Sequence, residues 1–272
     1  MHRFGEVGKG CTGLSRTPLS SSNPRVQTLR RLIGRRSFRY EEGEFVVEGP
    51  TLVREAVSAG LRIVEQYVRD DYNDYMAPFD VFELDSRTFN SVSDTESPRG
   101  ILAVCAIPDA GPMQFGTNDW LVVLHEVSDP GNLGTLIRSS EAAGARGVVL
   151  VGATVDPWSP KVVRASAGAV FHVPVWQVDS LSVIRDAGVR LLGTTSHDSL
   201  GVSQPESLYD ADLSGCVGIV LGNEAHGLAS DADVDGWVTI HHLGRSESLN
   251  VAMAGTVMAM HISRLRNERA QG

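Results

Sequence analysis

Three loops rich in glycine and compact polar residues stand out as places where chemistry could occur. They read "HEVSDPGNLGTLIRSS" (125–140), "VLGNEAHGL" (220–228) and "SESLNVAMAGTVMAMH" (246–261). The first two follow an apolar run typical of a buried strand, and ligands of open parallel sheets bind beyond the carboxyl ends of such strands. Glycine lets the backbone turn sharply and approach a ligand. These loops are therefore the predicted site.

The first loop combines a glycine-rich strand-to-helix turn with Asn132 and Arg138. Asn132 is expected to cap the helix that follows, and exposed N–H groups at such a turn can bind phosphate. The spacing matches neither a P-loop nor a GxGxxG turn, so binding of a nucleoside triphosphate or NAD is not supported. Taken alone, this loop is as consistent with simple turn formation as with a site.

The second and third loops place further polar residues beside buried elements. Gly222 directly follows an apolar strand, and Glu224 is either a helix-start carboxylate or a site residue. The third stretch predicts a helix that is apolar nearly all the way round and therefore buried. Ser248 is expected to cap this helix. Asn250 then needs another partner, because a polar side chain in the first turn of a buried helix must be hydrogen-bonded.

An alternation of strands and helices must position these loops. Residues 23–107 predict short β-rich strands between amphipathic helices, beginning with one helix over 23–36. Further along the chain, continuous apolar strands between helices indicate a parallel sheet covered on both faces. The predicted organisation is a disordered leader (1–22), a first α/β domain (23–107), a Pro- and Gly-rich linker (108–118) and a second α/β domain (119–272).

Composition restricts the class of protein. The chain has 272 residues, of which 42% are hydrophobic and 21% charged, as in a globular protein with ample core material. No apolar run reaches the roughly 18 residues that a membrane-spanning helix needs. Cys11, Cys105 and Cys216 are far apart and suit a reducing cytosol. His241 and His242 are adjacent in a predicted strand, so their rings would face opposite ways, and no metal site is predicted.

Charge is distributed unevenly along the chain. Residues 1–40 contain nine Lys and Arg and one acid, Glu6, whereas the whole chain has a net charge of −9. The segment "RVQTLRRLIGRRSFR" (25–39) can neutralise phosphates or can simply form a solvated helix face. The Arg- and Ser-containing start is similar in composition to a transit peptide, but a disordered leader is the preferred interpretation.

Three short motifs together resemble a known family. "NLGTLIR" (132–138), "GNEAHGL" (222–228) and "SLNVAMA" (248–254) occur in the order, and with the flanking strands, of the SpoU-type RNA 2′-O-ribose methyltransferases of the SPOUT superfamily. The resemblance covers residues 119–268. Upstream, "FVVEGPTLVREAVSAG" (45–60) is similar to the ribosomal-protein-L30e-like substrate-binding domain that often precedes the catalytic domain.

The resemblance implies a fold, a cofactor and site residues. The fold would be α/β with a deep trefoil knot in the C-terminal domain, an exception to the rule that chains avoid knots. S-adenosylmethionine would bind in the knot, and a homodimer would complete the active site. The implied catalytic residues are Arg138, Asn132, Glu224, Ser248 and Asn250. The implied cofactor contacts are Thr194, Gly222, Ile240 and Leu249. Family members often have proline where this chain has His241, which leaves the path of that loop open.

The implied reaction is methyl transfer to a ribose hydroxyl of RNA in the cytoplasm, without a metal. It requires in-line alignment and removal of the hydroxyl proton. Arg138 would bind the neighbouring phosphate and stabilise the developing alkoxide, with a base role left open. Ribosomal RNA, 23S in particular, is the favoured substrate and transfer RNA the nearest alternative. A non-catalytic RNA-binding factor of the same fold is a third interpretation.

Overall fold

The computed structural model describes residues 16–76, 78–196, 205–241, 243–245 and 248–271. These residues form two compact units. The N-terminal unit extends to Pro108 and includes Trp158–Pro160, and the C-terminal unit comprises Asp109–Pro157 and the chain from Lys161 onward.

The N-terminal unit is a five-stranded mixed sheet with helices. Its strands are β1 (Arg16–Leu19), β2 (Glu44–Glu48), β3 (Ile63–Arg69), β4 (Val81–Leu84) and β5 (Ile101–Ala106). Its helices are α1 (Pro24–Gly34), α2 (Arg36–Glu42), α3 (Pro50–Ser58) and α4 (Ser86–Val92). The strand order is β1-β4-β3-β5-β2. Val26, Leu29 and Leu32 of α1 are fully buried and pack with sheet residues such as Tyr67.

The prediction of a disordered leader over residues 1–22 is wrong for residues 16–22. Residues 16–19 form β1, which pairs in parallel with β4 from Arg16↔Val81 to Leu19↔Leu84. The Arg16 guanidinium also donates to Glu83 at 3.4 Å and to Asn73 at 2.6 Å. Pairing with a distant strand leaves no local sequence signal, so β1 could not be predicted from the composition of the leader. The earlier part of the leader, with Cys11, lies outside the described residues.

The single helix predicted over 23–36 is interrupted at Arg35. There the backbone becomes extended, with φ −130°, while the Arg35 N–H still donates to Arg31. The guanidinium of the buried Arg39 donates to the carbonyls of Leu32 at 2.5 Å and Ile33 at 3.0 Å. The carbonyl groups in the last turn of α1 therefore receive hydrogen bonds from a side chain of α2, which stabilises the sharp corner between the two helices.

The C-terminal unit contains a seven-stranded sheet that is parallel throughout. Its strands are β6 (Trp120–His125), β7 (Gly147–Val151), β8 (Val175–Val178), β9 (Arg190–Thr194), β10 (Glu206–Ser207), β11 (Val217–Leu221) and β12 (Gly236–Thr239). Its helices are α5 (Pro130–Ala142), α6 (Pro160–Ala165), α7 (Leu181–Asp186) and α8 (Val251–Gln271), with a 3₁₀ turn at Ala169–Phe171. The strand order is β10-β12-β9-β11-β6-β7-β8. The predicted α/β class with a parallel sheet is confirmed.

The Pro- and Gly-rich segment after Pro108 packs on this second sheet. Met113 and Phe115 lie against the hydrophobic cluster that contains Trp176. The indole N–H of Trp176 donates to the carbonyl of Gly111 at 2.9 Å, and Phe115 meets the Trp176 ring edge-on. The segment lacks regular secondary structure but is held to the C-terminal unit by these contacts.

The remaining expectations concern the histidine pair, membrane-spanning helices, metal clusters and the thiols. β12 ends at Thr239, so His241 lies beyond the strand and the prediction that the histidine pair is inside it is wrong; His242 lies outside the described residues. In the part of the chain that the structure describes, no helix is long and apolar enough to cross a membrane. Within the same residues, no cluster of His, Cys, Asp and Glu is arranged to hold a metal ion. Cys105 is buried and Cys216 is half-buried, both as free thiols.

Candidate active site

The second and third glycine-rich loops line one open cavity of about 390 Å³ in the C-terminal unit, and the first loop is hydrogen-bonded to them. Its walls come from the carboxyl ends of β9, β11 and β12 and from the start of α8. All four residues implied as cofactor contacts line it: Thr194, Gly222, Ile240 and Leu249. Glu224, Ser248 and Asn250 line it as well. The topology therefore collects residues that lie far apart in the sequence.

Glu224 connects the second loop to the first. One carboxylate oxygen accepts from the Ser128 N–H at 3.1 Å and from the Ser128 hydroxyl at 3.0 Å. The other accepts from the Asp129 N–H at 3.0 Å and from the Asn132 amide at 3.1 Å. Partial burial by itself would raise the pKa of Glu224, but the backbone N–H groups of Asp129 and Ser128 and the Asn132 amide outweigh it and lower the pKa to about 2. Glu224 is therefore a fixed anion.

Asn132 in turn connects Glu224 to the third loop. A carboxylate can only accept hydrogen bonds, so Asn132 must present its NH₂ group to Glu224 and its oxygen elsewhere. That oxygen accepts from the Asn250 amide at 3.2 Å. One residue from each motif thus forms the chain Asn250–Asn132–Glu224.

The predicted N-terminal caps of α5 and α8 are wrong, because in each case a nearby residue caps the helix. Asp129, not Asn132, caps α5 by accepting from the Asn132 N–H at 2.8 Å. Asn250, not Ser248, caps α8 by accepting from Ala252 at 2.9 Å and Met253 at 3.2 Å. α8 begins at Val251, so Asn250 precedes the helix rather than lying inside its first turn. Aspartate followed by proline at the first helical position is a known start signal and could have identified Asp129.

The prediction that the last helix is buried all round is also wrong. Its inner side contains Ala259 and Ile262, which are 1% and 0% exposed. Gly255 on this side allows close packing, since a Cβ there would collide with the side chain of Leu136 on α5. A second face remains exposed to solvent. It consists of Leu249 just before the helix and of Met253, Val257 and Met260 within it.

Gly222 is required by the packing of the second loop. A Cβ at this position would collide with the backbone of Gly227 and Leu228. Gly227 itself has φ +67°, a conformation that favours glycine. The loop therefore folds back directly onto the end of β11 and forms the floor of the cavity.

Two of the implied catalytic residues, Asn132 and Arg138, are absent from the cavity lining, and of these Asn132 is hydrogen-bonded to the lining residues Glu224 and Asn250. Arg138 has no such connection. It lies on α5 six residues beyond Asn132, on an exposed part of the helix, and it does not line the cavity of its own chain. No hydrogen bond or ion pair joins its guanidinium to any residue within the described ranges.

Comparison with known proteins identifies the family. Residues 119–260 match the SpoU rRNA Methylase family, and residues 23–103 match the MRM3-like substrate binding domain. The chain belongs to the SpoU rRNA methylase family. The resemblance stated from the three motifs is thereby confirmed.

Individual SpoU relatives match over nearly the whole chain. The 23S rRNA (guanosine(2553)-2′-O)-methyltransferase RlmP of Bacillus subtilis is 30% identical over 89% of this chain and 97% of its own length. The 23S rRNA (uridine(2479)-2′-O)-methyltransferase of Streptomyces viridochromogenes is 30% identical over 92% and 94%. The crystal structure of the SpoU methyltransferase AviRb from that organism, in complex with AdoMet, has a TM-score of 0.79 at 26% identity and covers 90% of this chain and 98% of AviRb.

The lowered pKa of Glu224 predicts how the stability of the fold depends on pH in acid. A carboxyl whose pKa is lowered on folding stabilises the fold above its usual pKa and loses this contribution as the pH falls through the folded value. We expect this SpoU protein to lose stability between pH 4.5 and about 2, and Glu224→Gln to remove that part of the loss. Thermal unfolding midpoints across this range test it, with the exposed Glu96→Gln as control. Identical pH dependence in wild type and Glu224→Gln would contradict the prediction.

Proposed function

We propose that this protein is an S-adenosylmethionine-dependent methyltransferase that modifies a ribose 2′-hydroxyl of 23S ribosomal RNA. The observation that carries the proposal is the hydrogen-bonded chain Asn250–Asn132–Glu224 at the wall of the cavity. The RlmP and AviRb relatives, which match along most of both chains, support the choice of reaction and of substrate.

The cavity fits the proposed cofactor in size and in chemistry. Its volume of about 390 Å³ lies in the range of small-molecule sites. Its lining includes apolar side chains suited to a flat heteroaromatic ring: Leu221, Leu228, Ile240, Leu249 and Met258. It also includes hydroxyl and amide groups suited to a ribose and an amino acid: Thr194, Thr195, Ser248 and Asn250. Thr194, Gly222, Ile240 and Leu249 are therefore proposed to hold the cofactor.

The chain's own residues would act by positioning and by electrostatics. When bound, S-adenosylmethionine supplies a methyl group activated by its sulfonium. Glu224 fixes Asn132, and Asn132 fixes Asn250, so that two residues lining the cavity are held in place before RNA arrives. Ser248 adds a hydroxyl to the same lining. Arg138 would bind the phosphate next to the target ribose and stabilise the developing alkoxide.

We propose that a homodimer completes the site, with Arg138 of each subunit serving the cavity of the other. Two observations support this arrangement. Arg138 does not line the cavity of its own chain. The residues Leu249, Met253, Val257 and Met260 form an exposed apolar face that is 38%, 66%, 39% and 45% exposed, and their spacing is that of one helix face. Burial of such a face is the usual driving force for association.

The N-terminal domain (23–107) is proposed to hold RNA through what we call the basic corner, formed by Arg31, Arg35, Arg36 and Tyr40. Elsewhere in segment 25–39, Arg25 pairs with Glu65, Arg30 donates to Ser91, and Arg39 donates to α1 carbonyls. At the corner, Arg31 stacks over Phe38 at 3.6 Å and Arg36 approaches the Tyr40 ring at 5.7 Å. Exposed arginines beside an aromatic ring suit phosphates and unstacked bases.

Charge reversal at the corner should weaken RNA binding. The double variant Arg35→Glu/Arg36→Glu is expected to bind a ribosomal RNA fragment about tenfold more weakly and with a smaller salt dependence. Arg62→Glu/Arg87→Glu, at two exposed positions of the same unit, makes the same change in net charge and is the control. Filter binding at several salt concentrations measures both effects. Equal losses for the corner and control variants would contradict the assignment.

The remaining predictions about fold, location and substrate extend the same proposal. The trefoil knot and the cytoplasmic location stay predictions from the family resemblance and from the free thiols. Transfer RNA remains the nearest alternative substrate, because the site chemistry of the C-terminal unit is the same for any ribose. A non-catalytic RNA-binding factor is disfavoured, since the motif residues Asn132, Arg138, Glu224, Ser248 and Asn250 are all present.

One experiment separates these functions. Total RNA is incubated with the protein and labelled S-adenosylmethionine, and 2′-O-methylation is mapped at nucleotide resolution. The proposal expects one new methylated ribose in 23S ribosomal RNA. Label in transfer RNA alone would favour the alternative substrate, and cofactor binding without any labelled RNA would favour the non-catalytic factor.

A further inference from the structure

We propose that Asn223 is a positioning residue for the cofactor site, because its side chain joins the cavity loop to the backbone of Glu126. We call the Asn223–Glu126 contact the clasp. The inference rests on the proposed cofactor site, since the loop that the clasp holds, residues 222–228, forms one wall of that cavity.

Glu126 has an unusual backbone conformation at one end of the clasp. Its φ is 57°, and among the described residues only Ala167, with φ 51°, is another non-glycine with positive φ. The Glu126 N–H still donates to Val151 at 3.1 Å, so the residue marks the end of the β6–β7 ladder. Its carbonyl accepts from the Asn223 side-chain amide at 2.9 Å. Such a backbone conformation costs energy and persists only where its surroundings enforce it.

Asn223 uses both ends of its amide at the other end of the clasp. Its Nδ2 donates to Glu126, and its Oδ1 accepts from the N–H groups of Ala225 at 2.9 Å and His226 at 3.3 Å. Its own N–H and carbonyl pair with Gly227 at 3.1 and 2.8 Å. One side chain therefore shapes the turn 223–227 and ties that turn to the strand beside it. An acid could reproduce only the first of these functions, because it lacks the N–H donor.

The clasp and Glu224 attach the same loop at two separate points. Glu224 is bonded to residues 128, 129 and 132 at the start of α5, whereas Asn223 is bonded two residues earlier, at 126. A single attachment would leave the loop free to pivot, and two attachments fix its orientation. The tip of the turn, with His226, lines the cavity. Loss of the clasp should therefore weaken cofactor binding more than it slows the chemical step.

Variants of the 272-residue chain at Asn223 and Glu126 separate the functions of Asn223. Asn223→Asp keeps the acceptor for the turn and removes the donor to Glu126, and Asn223→Ala removes both. Glu126→Val disfavours the left-handed conformation and displaces the acceptor, and Glu126→Gly should be milder because glycine tolerates positive φ. Ala167→Val is the matched control, since it strains a second left-handed residue that does not line the cavity.

The expected result is that a change at either end of the clasp lowers the affinity for the cofactor, and that the two losses do not add. By calorimetry, Asn223→Asp and Glu126→Val should each raise the Kd for S-adenosylmethionine about three- to tenfold, the effect of one lost hydrogen bond. The double variant should be no weaker than the weaker single variant, because both remove the same contact. In methylation assays the KM for the cofactor should rise while kcat at saturation is retained. Ala167→Val should lower the unfolding midpoint without changing the Kd.

Opposite outcomes identify which idea fails. Unchanged Kd values in Asn223→Asp and Glu126→Val, with altered unfolding midpoints only, would reduce the clasp to a structural contact and overturn the inference. Fully additive losses in the double variant would overturn it too, since the two residues would then act independently. A wild-type protein that binds no S-adenosylmethionine would instead overturn the proposed function.

Discussion

Replacing Arg138 by alanine is expected to lower the rate of methyl transfer by about 10²–10³-fold while leaving S-adenosylmethionine binding intact. The cofactor contacts proposed for this chain lie in the cavity, and Arg138 is absent from its lining, so truncation should not disturb them. Arg138→Lys should recover only part of the rate, because an ammonium cannot reproduce the planar two-pronged contact of a guanidinium with phosphate. Calorimetry and a methylation assay with a defined RNA measure the two properties separately.

Mixing two inactive variants tests whether Arg138 acts across a dimer. In a mixed dimer of Arg138→Ala and a cavity-disrupting Gly222→Val subunit, the intact cavity of the first faces the intact arginine of the second. Random exchange should then restore about a quarter of the wild-type activity, since half of the dimers are mixed and each has one complete site. If Arg138 served its own cavity, no mixed dimer would contain a complete site. Absence of recovery, with exchange verified, would contradict the shared site.

Replacing Gly222 by alanine is expected to be the most damaging single-methyl change in the chain's cofactor site. The new Cβ would collide with the backbone of Gly227 and Leu228, and backbone cannot rotate away as a side chain can. Overpacking of this kind costs about 1–3 kcal/mol, which corresponds to roughly 5- to 150-fold weaker cofactor binding if the loop yields. The unfolding midpoint should fall together with the affinity, and calorimetry and thermal melts measure the two.

Gly244→Ala provides the matched control for Gly222→Ala. No atom lies within 4 Å of a Cβ built at Gly244, and its φ is not in the left-handed range. The two substitutions are chemically identical, so a difference between them reports the packing at Gly222. Equal cofactor affinities for the two variants would show that the loop after β11 has room for a side chain, and the proposed cavity floor would be wrong.

Much of the C-terminal unit follows from local patterns in the sequence. Continuous apolar runs such as Val217–Leu221 predict buried parallel strands, and the structure contains them. Gly222 and Glu224 stand out because glycine and a carboxylate directly follow such a run. These signals depend on neighbours a few residues apart, so they can be recognised without knowledge of the fold.

Hydrogen-bond partners were much harder to predict than the elements. The sequence indicated that Asn250 needs a partner and that Asn132 could serve as a cap. The structure gives the α5 cap to Asp129 and the α8 cap to Asn250, and it joins the two asparagines to each other although they are 118 positions apart. No local rule selects one polar side chain over its neighbour when the choice depends on contacts at that separation.

The roles of the charged residues in segment 25–39 were also predictable only in part. Counting arginines in residues 25–39 predicts a phosphate-binding arm. The fold commits Arg25, Arg30 and Arg39 to polar contacts within the N-terminal unit, whereas Arg31 and Arg36 lie over aromatic rings at the exposed basic corner. Composition gives the number of charges, and only packing determines which of them face a partner.

By itself, the sequence determined the family, the α/β class and the three motifs that supply most of the site residues, because motif order and hydrophobic period are properties of short stretches. Tertiary structure alone decided that Asn250 caps its helix, that Asn223 reaches the left-handed Glu126, and that Arg138 stands outside the cavity of its own chain. The reason is physical: each of these depends on the direction in which a side chain points when distant strands align in one sheet. That direction is set by the register and packing of the whole unit.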